Sequence, residues 1–163
     1  MLFRSDFFRA ASITPVVLGD TVTGEASEVA KVYAALVREI RSHNQPFKPP
    51  VALISGGECT VTVRGNGRGG RCAEFLTSLA VELDGLAGVY ALAADTDGID
   101  GTEDNAGALL FSDTVARAAQ LGLNAKAMLA NNDGYSYFEA LNDLLVTGPT
   151  RTNVNDYRVI LIL

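Results

Sequence analysis

Apolar and polar positions along this chain change period as they go, and each change marks an element. Ile13 to Leu18 is a short apolar run carrying Pro15 and followed by Gly19-Asp20, which predicts a strand at a sheet edge or at its own beginning. The spacing then turns helical, with Val29, Tyr33, Leu36, Val37 and Ile40 on one face and Glu28, Lys31, Arg38 and Arg41 on the other. Asn44 to Pro50 ends that helix in a proline-rich linker. Val51 to Ile54 is continuously apolar and stops at Ser55-Gly56-Gly57, the pattern of a buried strand feeding a tight turn. Cys59 to Val63 differs: Cys59, Val61 and Val63 alternate with Thr60, Thr62 and Arg64, which predicts a half-exposed strand.

Beyond the glycine loop Gly65 to Gly70, helical spacing returns in Phe75, Leu76, Leu79, Ala80 and Leu83, closed by Gly85 and Gly88. Val89 to Ala94 predicts a third strand, running into Asp95-Thr96-Asp97-Gly98-Ile99-Asp100-Gly101. Ala106 to Phe111 fits strand or helix equally. Ser112 has the chemistry of an N-cap for a helix over Val115, Ala118 and Ala119, with Gly122 as its stop. A short helix near Ala125 to Leu129 precedes Asn131-Asn132-Asp133, which can cap another around Tyr137, Phe138 and Leu141. Leu144 to Val146 and Tyr157 to Leu163 read as closing strands around the polar loop Thr147 to Asp156. Alternating strands and helices predict an α/β fold, with a mixed β-sheet flanked by helices in a single compact domain.

Composition narrows the function. The chain has 163 residues, 48% of them apolar and 20% charged, which suits an ordinary packed core and not a disordered tail. A net charge of -6 argues against nucleic acid as a partner, since that binding is built from clustered Lys and Arg. Cys59 and Cys72 have no metal-ligand spacing, and no apolar stretch is long enough for a membrane span or an export signal, so a cytoplasmic location is the expectation. Met1 is followed by Leu-Phe-Arg-Ser, which the sequencing-adapter string CTCTTCCGATCT encodes in frame. Residues 1–5 are therefore expected to be non-native.

Three polar regions carry candidate chemistry. Gly65-Asn66-Gly67-Arg68-Gly69-Gly70-Arg71 lies between a strand and a helix, where free backbone N–H groups and the helix dipole would attract an anion and Arg68 and Arg71 would add forked donors. The loop fits G-x-G-x-x-G, but the strand before it alternates and its acidic partner is missing, which argues against a dinucleotide site; Arg71 and Cys72 stand where a P-loop has Lys and Ser/Thr. Asp95, Asp97 and Asp100 follow the C-terminal end of a strand, where α/β sheets place ligands. They are candidates for a base or, in Asp95 and Asp97, for holding Mg²⁺, while Asx-turns would explain the same pattern. Calcium-loop spacing is absent. Asn131, Asn132 and Asp133, with Thr147, Thr150, Asn153 and Asn155, supply neutral hydrogen bonders suited to a polyhydroxylated acid. A lone His43 and no G-x-S-x-G argue against a hydrolase triad, and Cys72 at a helix start is a minor candidate for an acidic thiol.

Ile54-Ser55-Gly56-Gly57-Glu58, the loop Gly65 to Arg71, Thr96 to Gly101, Asn131 to Asp133, and Thr147 to Thr150 with Asn153 to Asp156 occur in the order of the MOFRL domain of class II glycerate 2-kinases, which the chain resembles. On that resemblance residues 51–163 are the MOFRL domain and 6–50 the strand and helix upstream of it. The resemblance implies a two-domain enzyme that moves the γ-phosphoryl of ATP, with Mg²⁺, to D-glycerate in a cleft against an N-terminal domain missing here; alone, the chain would be inactive. It implies phosphate or substrate contacts from Glu58, Gly67, Arg68, Gly69, Gly70 and Arg71, with Arg71 foremost. Cys72 departs from the family's usual Asn. Members also carry the label hydroxypyruvate reductase, so a nicotinamide-dependent oxidoreductase is the rival enzyme and an anion-binding module without catalysis the third reading. Whether the chain forms a homodimer is left open.

Overall fold

The computed structural model describes residues 2–163. Met1 lies outside them, and Leu2 to Ser5, expected to be non-native, open the first helix, α1 (Leu2–Ala10). The other elements are β1 (Thr14–Gly19), β2 (Gly24–Glu25), α2 (Ala26–His43), β3 (Val51–Gly57), β4 (Cys59–Thr60), α3 (Arg71–Leu83) and β5 (Val89–Asp95). After them come β6 (Gly107–Leu110), α4 (Thr114–Gln120), α5 (Ala125–Ala130), α6 (Gly134–Leu141), β7 (Leu144–Leu145) and β8 (Asp156–Ile162).

Six strands form the expected mixed sheet, in the order β1-β3-β8-β5-β6-β7, while β2 and β4 pair apart from it. β1 runs parallel to β3, and all other ladders of the main sheet are antiparallel. The ambiguous run Ala106 to Phe111 is settled as a strand because β6 finds partners on both sides, β5 and β7. One sheet face, including Val51, Leu53, Val89, Ala91, Ala108, Ile160 and Ile162, packs against α2, α3 and α6 to form the core. Helix α3 is the centre of the helical layer: α2, α4, α5 and α6 all pack on it, which is why most of its circumference is buried, the polar Glu74, Thr77 and Ser78 included.

Local chemistry redraws two boundaries and fixes a third, the end of α2, where the sequence puts it. The strand expected over Cys59 to Val63 stops at Thr60, because the Glu25 carboxylate accepts the Thr62 N–H at 2.9 Å and its hydroxyl at 3.0 Å, in place of a ladder carbonyl. Helix α4 begins at Thr114 and not behind a Ser112 cap; the Thr114 hydroxyl accepts the Phe111 N–H at 2.9 Å. Asn44, in left-handed conformation at φ 55°, stops α2 by donating its N–H to the Ile40 carbonyl.

Candidate active site

Antiparallel pairing of β8 between β3 and β5 brings three chain segments to one edge. Asp156, which begins β8, lies opposite Gly57 at the end of β3 and Asp95 at the end of β5. Two buried carboxylates thus face one another across a ladder, an arrangement that requires a cation. Arg71, the first residue of α3, supplies it: Nε donates to Asp156 Oδ1 at 2.8 Å and Nη2 to Asp95 Oδ2 at 2.5 Å, while Nη1 stands 3.7 Å from Glu58 Oε1. Burial works against the Arg71 charge, but Asp156 and Asp95 outweigh it and raise the guanidinium above its ordinary pKa. Burial raises Asp95 as well, with the Asp97 N–H and Arg71 pulling it back.

Behind Asp156 stands Arg158, almost wholly buried, its Nη2 3.6 Å from Asp156 Oδ2 and donating to the Gly56 carbonyl, its Nη1 donating to Cys59 Sγ and its Nε buried without a hydrogen-bond partner among the described residues. Neither Asp156 nor Arg158 stood out as a candidate in the sequence. A signal was present: the alternation of β8 puts both charged side chains on the face that otherwise packs the core, where only a paired network is tolerated.

Asp100 does not join this cluster. It is fully buried, its two oxygens accept the N–H groups of Cys72 at 2.9 Å and Ala73 at 2.8 Å, and burial pushes its pKa up to about 6 despite those bonds. The N-terminus of α3 is therefore occupied by the chain's own carboxylate. The glycine loop is likewise closed. Asn132 Oδ1 accepts the N–H groups of Arg64 at 2.7 Å and Gly65 at 3.1 Å, Asn131 Oδ1 that of Asn66, and Asp133 Oδ1 that of Arg68 at 3.0 Å. Gly67 donates to the Asn131 carbonyl at 3.0 Å, and a Cβ on Gly67 would lie 2.4 Å from Asp133 Cβ, so its glycine serves close packing. The N–H groups of residues 64–68, which the sequence suggests for an anion, are spent inside the fold, and Asn131 to Asp133 bind the loop instead of capping α6 through their side chains. Gly69 and Gly70 complete the approach, Gly70 lying against Asp100.

Arg68 points elsewhere, 2.6 Å from Glu103 Oε2 and 4.1 Å over the Tyr135 ring, half exposed. Cys72 is buried and its thiol is pushed well above its ordinary pKa by burial, which overturns the acidic-thiol reading.

On the outer side of Asp95 opens a cleft of about 480 Å³, lined by Asp95, Thr96, Thr147, Thr150, Thr152 and Tyr157 among others. Its polar rim is pinned: Thr96 donates to the Asn155 carbonyl at 2.7 Å, the Thr150 N–H donates to the Asp97 carbonyl, and Asn153 Oδ1 accepts the Asn155 N–H at 3.0 Å. Asp97 Oδ1 accepts the Ile99 N–H at 2.9 Å, and Asn153 Nδ2 lies 3.5 Å from Asp97 Oδ2, the least engaged carboxylate oxygen of the loop. Among the described residues no three acids, Cys or His are grouped to hold a metal ion. With Asp95 bound by Arg71 and the Asp97 N–H, Asp95 and Asp97 do not fit a resident magnesium ion; a cation arriving on substrate phosphates is a different matter.

Residues 51–156 match the MOFRL family. The chain belongs to that family. A "D-glycerate 2-kinase" of Thermotoga maritima is 42% identical over 85% of the chain, and a "Putative hydroxypyruvate reductase" of Agrobacterium vitis is 48% identical over 94% of it. The solved glycerate kinase of Thermotoga maritima superposes with a TM-score of 0.94 at 36% identity, covering 98% of the chain. These proteins are longer: the chain spans 33% of the Thermotoga sequence, 40% of the Agrobacterium one and 38% of the solved chain. Both names attached to MOFRL relatives are those the sequence resemblance carries. No described helix is long and apolar enough to cross a membrane.

Proposed function

We propose that this MOFRL chain is part of a glycerate 2-kinase that moves the γ-phosphoryl group of ATP to a hydroxyl of D-glycerate, with Arg71 and Asp97 as its principal contributions. The observation that carries the reading is the Arg71 fork held by Asp156 and by Asp95, which also lines an open cleft, in a chain that superposes on a glycerate kinase. Phosphoryl transfer asks for positioning and charge compensation more than for covalent help. Arg71 is fixed on two sides and offers Nη1 toward the site, where it meets the glycerate carboxylate or the transferring phosphoryl group. The surrounding carboxylates Glu58, Asp95, Asp97 and Asp156 outnumber Arg71 and Arg158, so the site suits hydroxyl donors and a nucleotide that brings Mg²⁺ as part of the substrate. Asp97 Oδ2 takes the proton of the attacking hydroxyl as its oxygen bonds to the γ-phosphorus and the bond to the ADP oxygen breaks.

The closed glycine loop favours a kinase over a nicotinamide-dependent reductase. With the N–H groups of residues 64–68 committed to Asn131, Asn132 and Asp133, the first half of the loop has none left for a pyrophosphate, and β4 before it is only a two-residue strand. ADP formation that depends on D-glycerate, measured in the longer protein, is the expected result. NADH oxidation driven by hydroxypyruvate, without ATP use, would sink the assignment. The chain alone is expected to show neither activity.

A further inference from the structure

The sheet has two faces, and only one has a helical layer. Helices α2, α4, α5 and α6 pack on α3, and together they cover the face holding Leu53, Ile160, Ala91 and Leu110; α1 packs along β1 instead. Directly opposed residues on paired strands share a face, so the ladders trace rows across the other side. One row runs Val17, Ile54, Val159, Leu92, Leu109 through β1, β3, β8, β5 and β6. The next runs Pro15, Ala52, Leu161, Tyr90, and the Tyr90 ring meets Phe111 edge-on at 6.4 Å.

Neither row contains a charged side chain, and the Tyr90 hydroxyl is the one polar group in them. An antiparallel sheet with one face in water alternates apolar-in with polar-out; here both sets are apolar. Ala52 and Ile54 on β3 are fully buried, next to β1 where α1 packs, whereas Val159, Leu161, Tyr90, Leu92 and Leu109 are half-buried and outside the helix-backed core, and Val17 and Phe111 are 46% and 37% exposed. At about 4.8 Å between strands the two rows span at most roughly 300–400 Å², the β3 positions within them being already closed. A stable dimer of two copies needs about 800 Å² from each partner. Contacts between domains of one chain begin at about 600 Å² in total, roughly 300 Å² a side. The area fits the second case, and the relatives possess the extra length: the chain spans only 33% and 38% of the Thermotoga maritima proteins it matches.

We infer that this face is the seat of the remainder of the longer protein, which packs on it through an apolar, uncharged surface. Leu92, Ala94 and Leu145 also line the cleft beside Asp95, so the same packing closes that cleft on its apolar side. The inference needs the extra length that the proposed function also assumes, but not the reaction.

Leu92→Cys, Val159→Cys and Leu109→Cys, one at a time, provide the test, with Val32→Cys on the exposed side of α2 as control; the native Cys59 and Cys72 are buried. Maleimide labelling rates are compared between the 163-residue chain and a protein in which it replaces the matching part of the Thermotoga maritima kinase. The three sheet positions are expected to label about 100-fold more slowly in the longer protein, as fits a packed interface that must open to react. The control is expected to label equally in both. Equal rates at the sheet positions overturn the inference. So does slow labelling in the isolated chain that speeds up on dilution, because a second copy would then be the occupant. A second measurement covers a hybrid that does not fold: the isolated chain should bind the dye ANS, and Leu92→Lys with Val159→Lys should cut that signal roughly fivefold. No dye binding by the wild-type chain overturns the inference as well. Protection without phosphoryl transfer would leave this inference standing and remove the kinase.

Discussion

Arg68 and Arg71 leave the same glycine-rich loop three residues apart, and the fold makes them different kinds of charge. Arg71 is 20% exposed and holds two nearly buried carboxylates in one fork, so every group in that network depends on the others. Arg68 is 51% exposed and rests on Glu103 and Tyr135 at the surface, where water can replace either partner. A motif that shows two arginines thus contains one committed to the site and one that is replaceable. What separates them is not the loop but the strand edge beneath: β5 and β8 place Asp95 and Asp156 under residue 71 and nothing comparable under residue 68.

The strongest break in that comparison is Arg71→Ala. It leaves Asp95 without its cation and Asp156 with Arg158 alone, at an expected cost of about 3–5 kcal/mol to the chain. In the longer protein turnover should fall by about 10³-fold or more, as for other arginines that compensate phosphoryl charge. Arg71→Lys restores the charge but not the fork, so stability should recover further than turnover. A normal rate for Arg71→Ala in an ADP-release assay would remove the main assignment.

Asn132→Ala comes next, because the carboxamide under the loop accepts two N–H groups that nothing else replaces; a loss of about 2–3 kcal/mol is expected. Hydrogen exchange should accelerate over residues 62–70, and if the two arginines are separable, Arg71's contacts should outlast the loosening. Protection lost equally at Arg71 would show that loop and site move as one.

Glu74, beside the same amide, provides a pH test. Burial pushes its pKa up to about 7 from an ordinary 4.5, with Asn132 Nδ2 donating to it at 3.2 Å. The folded state keeps a proton that the unfolded chain has shed, so this group's contribution is full below the unfolded value of 4.5 and falls away as pH rises to about 7. Glu74→Gln should flatten that slope, gaining about 1–3 kcal/mol at pH 8 and nothing at pH 4 in urea titrations. A wild-type chain equally stable at both would contradict the burial argument.

Arg68→Ala should do least. Its urea midpoint is expected to stay within experimental scatter, as for exposed ion pairs generally, with at most a severalfold rise in KM for one substrate. An effect matching that of Arg71→Ala would erase the distinction between them.

Much of this organisation was legible in the sequence. The periods of α2 and α3, the apolar runs of β3 and β5 and the closing strand β8 all lie where the pattern puts them, because each buries a face whose spacing is its own signal. Partnership was not legible. Glycines at 65, 67 and 70 look the same whether a phosphate or an asparagine carboxamide comes close, and Asp100 looks the same as a ligand or as the cap of α3. Those choices are made by segments some thirty to seventy residues away, and periodicity carries no information about them. Asp95, Asp97 and Asp100 therefore read as one cluster although Asp95 is buried against Arg71, Asp100 is buried at the start of α3, and only Asp97 is partly exposed.

The placement of β8 also orders events in time. It lies between β3 and β5, yet every other strand precedes it in the chain. During synthesis the two halves of the sheet cannot join until these residues leave the ribosome, and the ladder that joins them is entirely long-range. The same strand delivers Asp156, so the fork that holds Arg71 is assembled in the step that closes the sheet. A chain that stalls before this point has neither a continuous sheet nor a site, which couples quality control of folding to the chemistry itself.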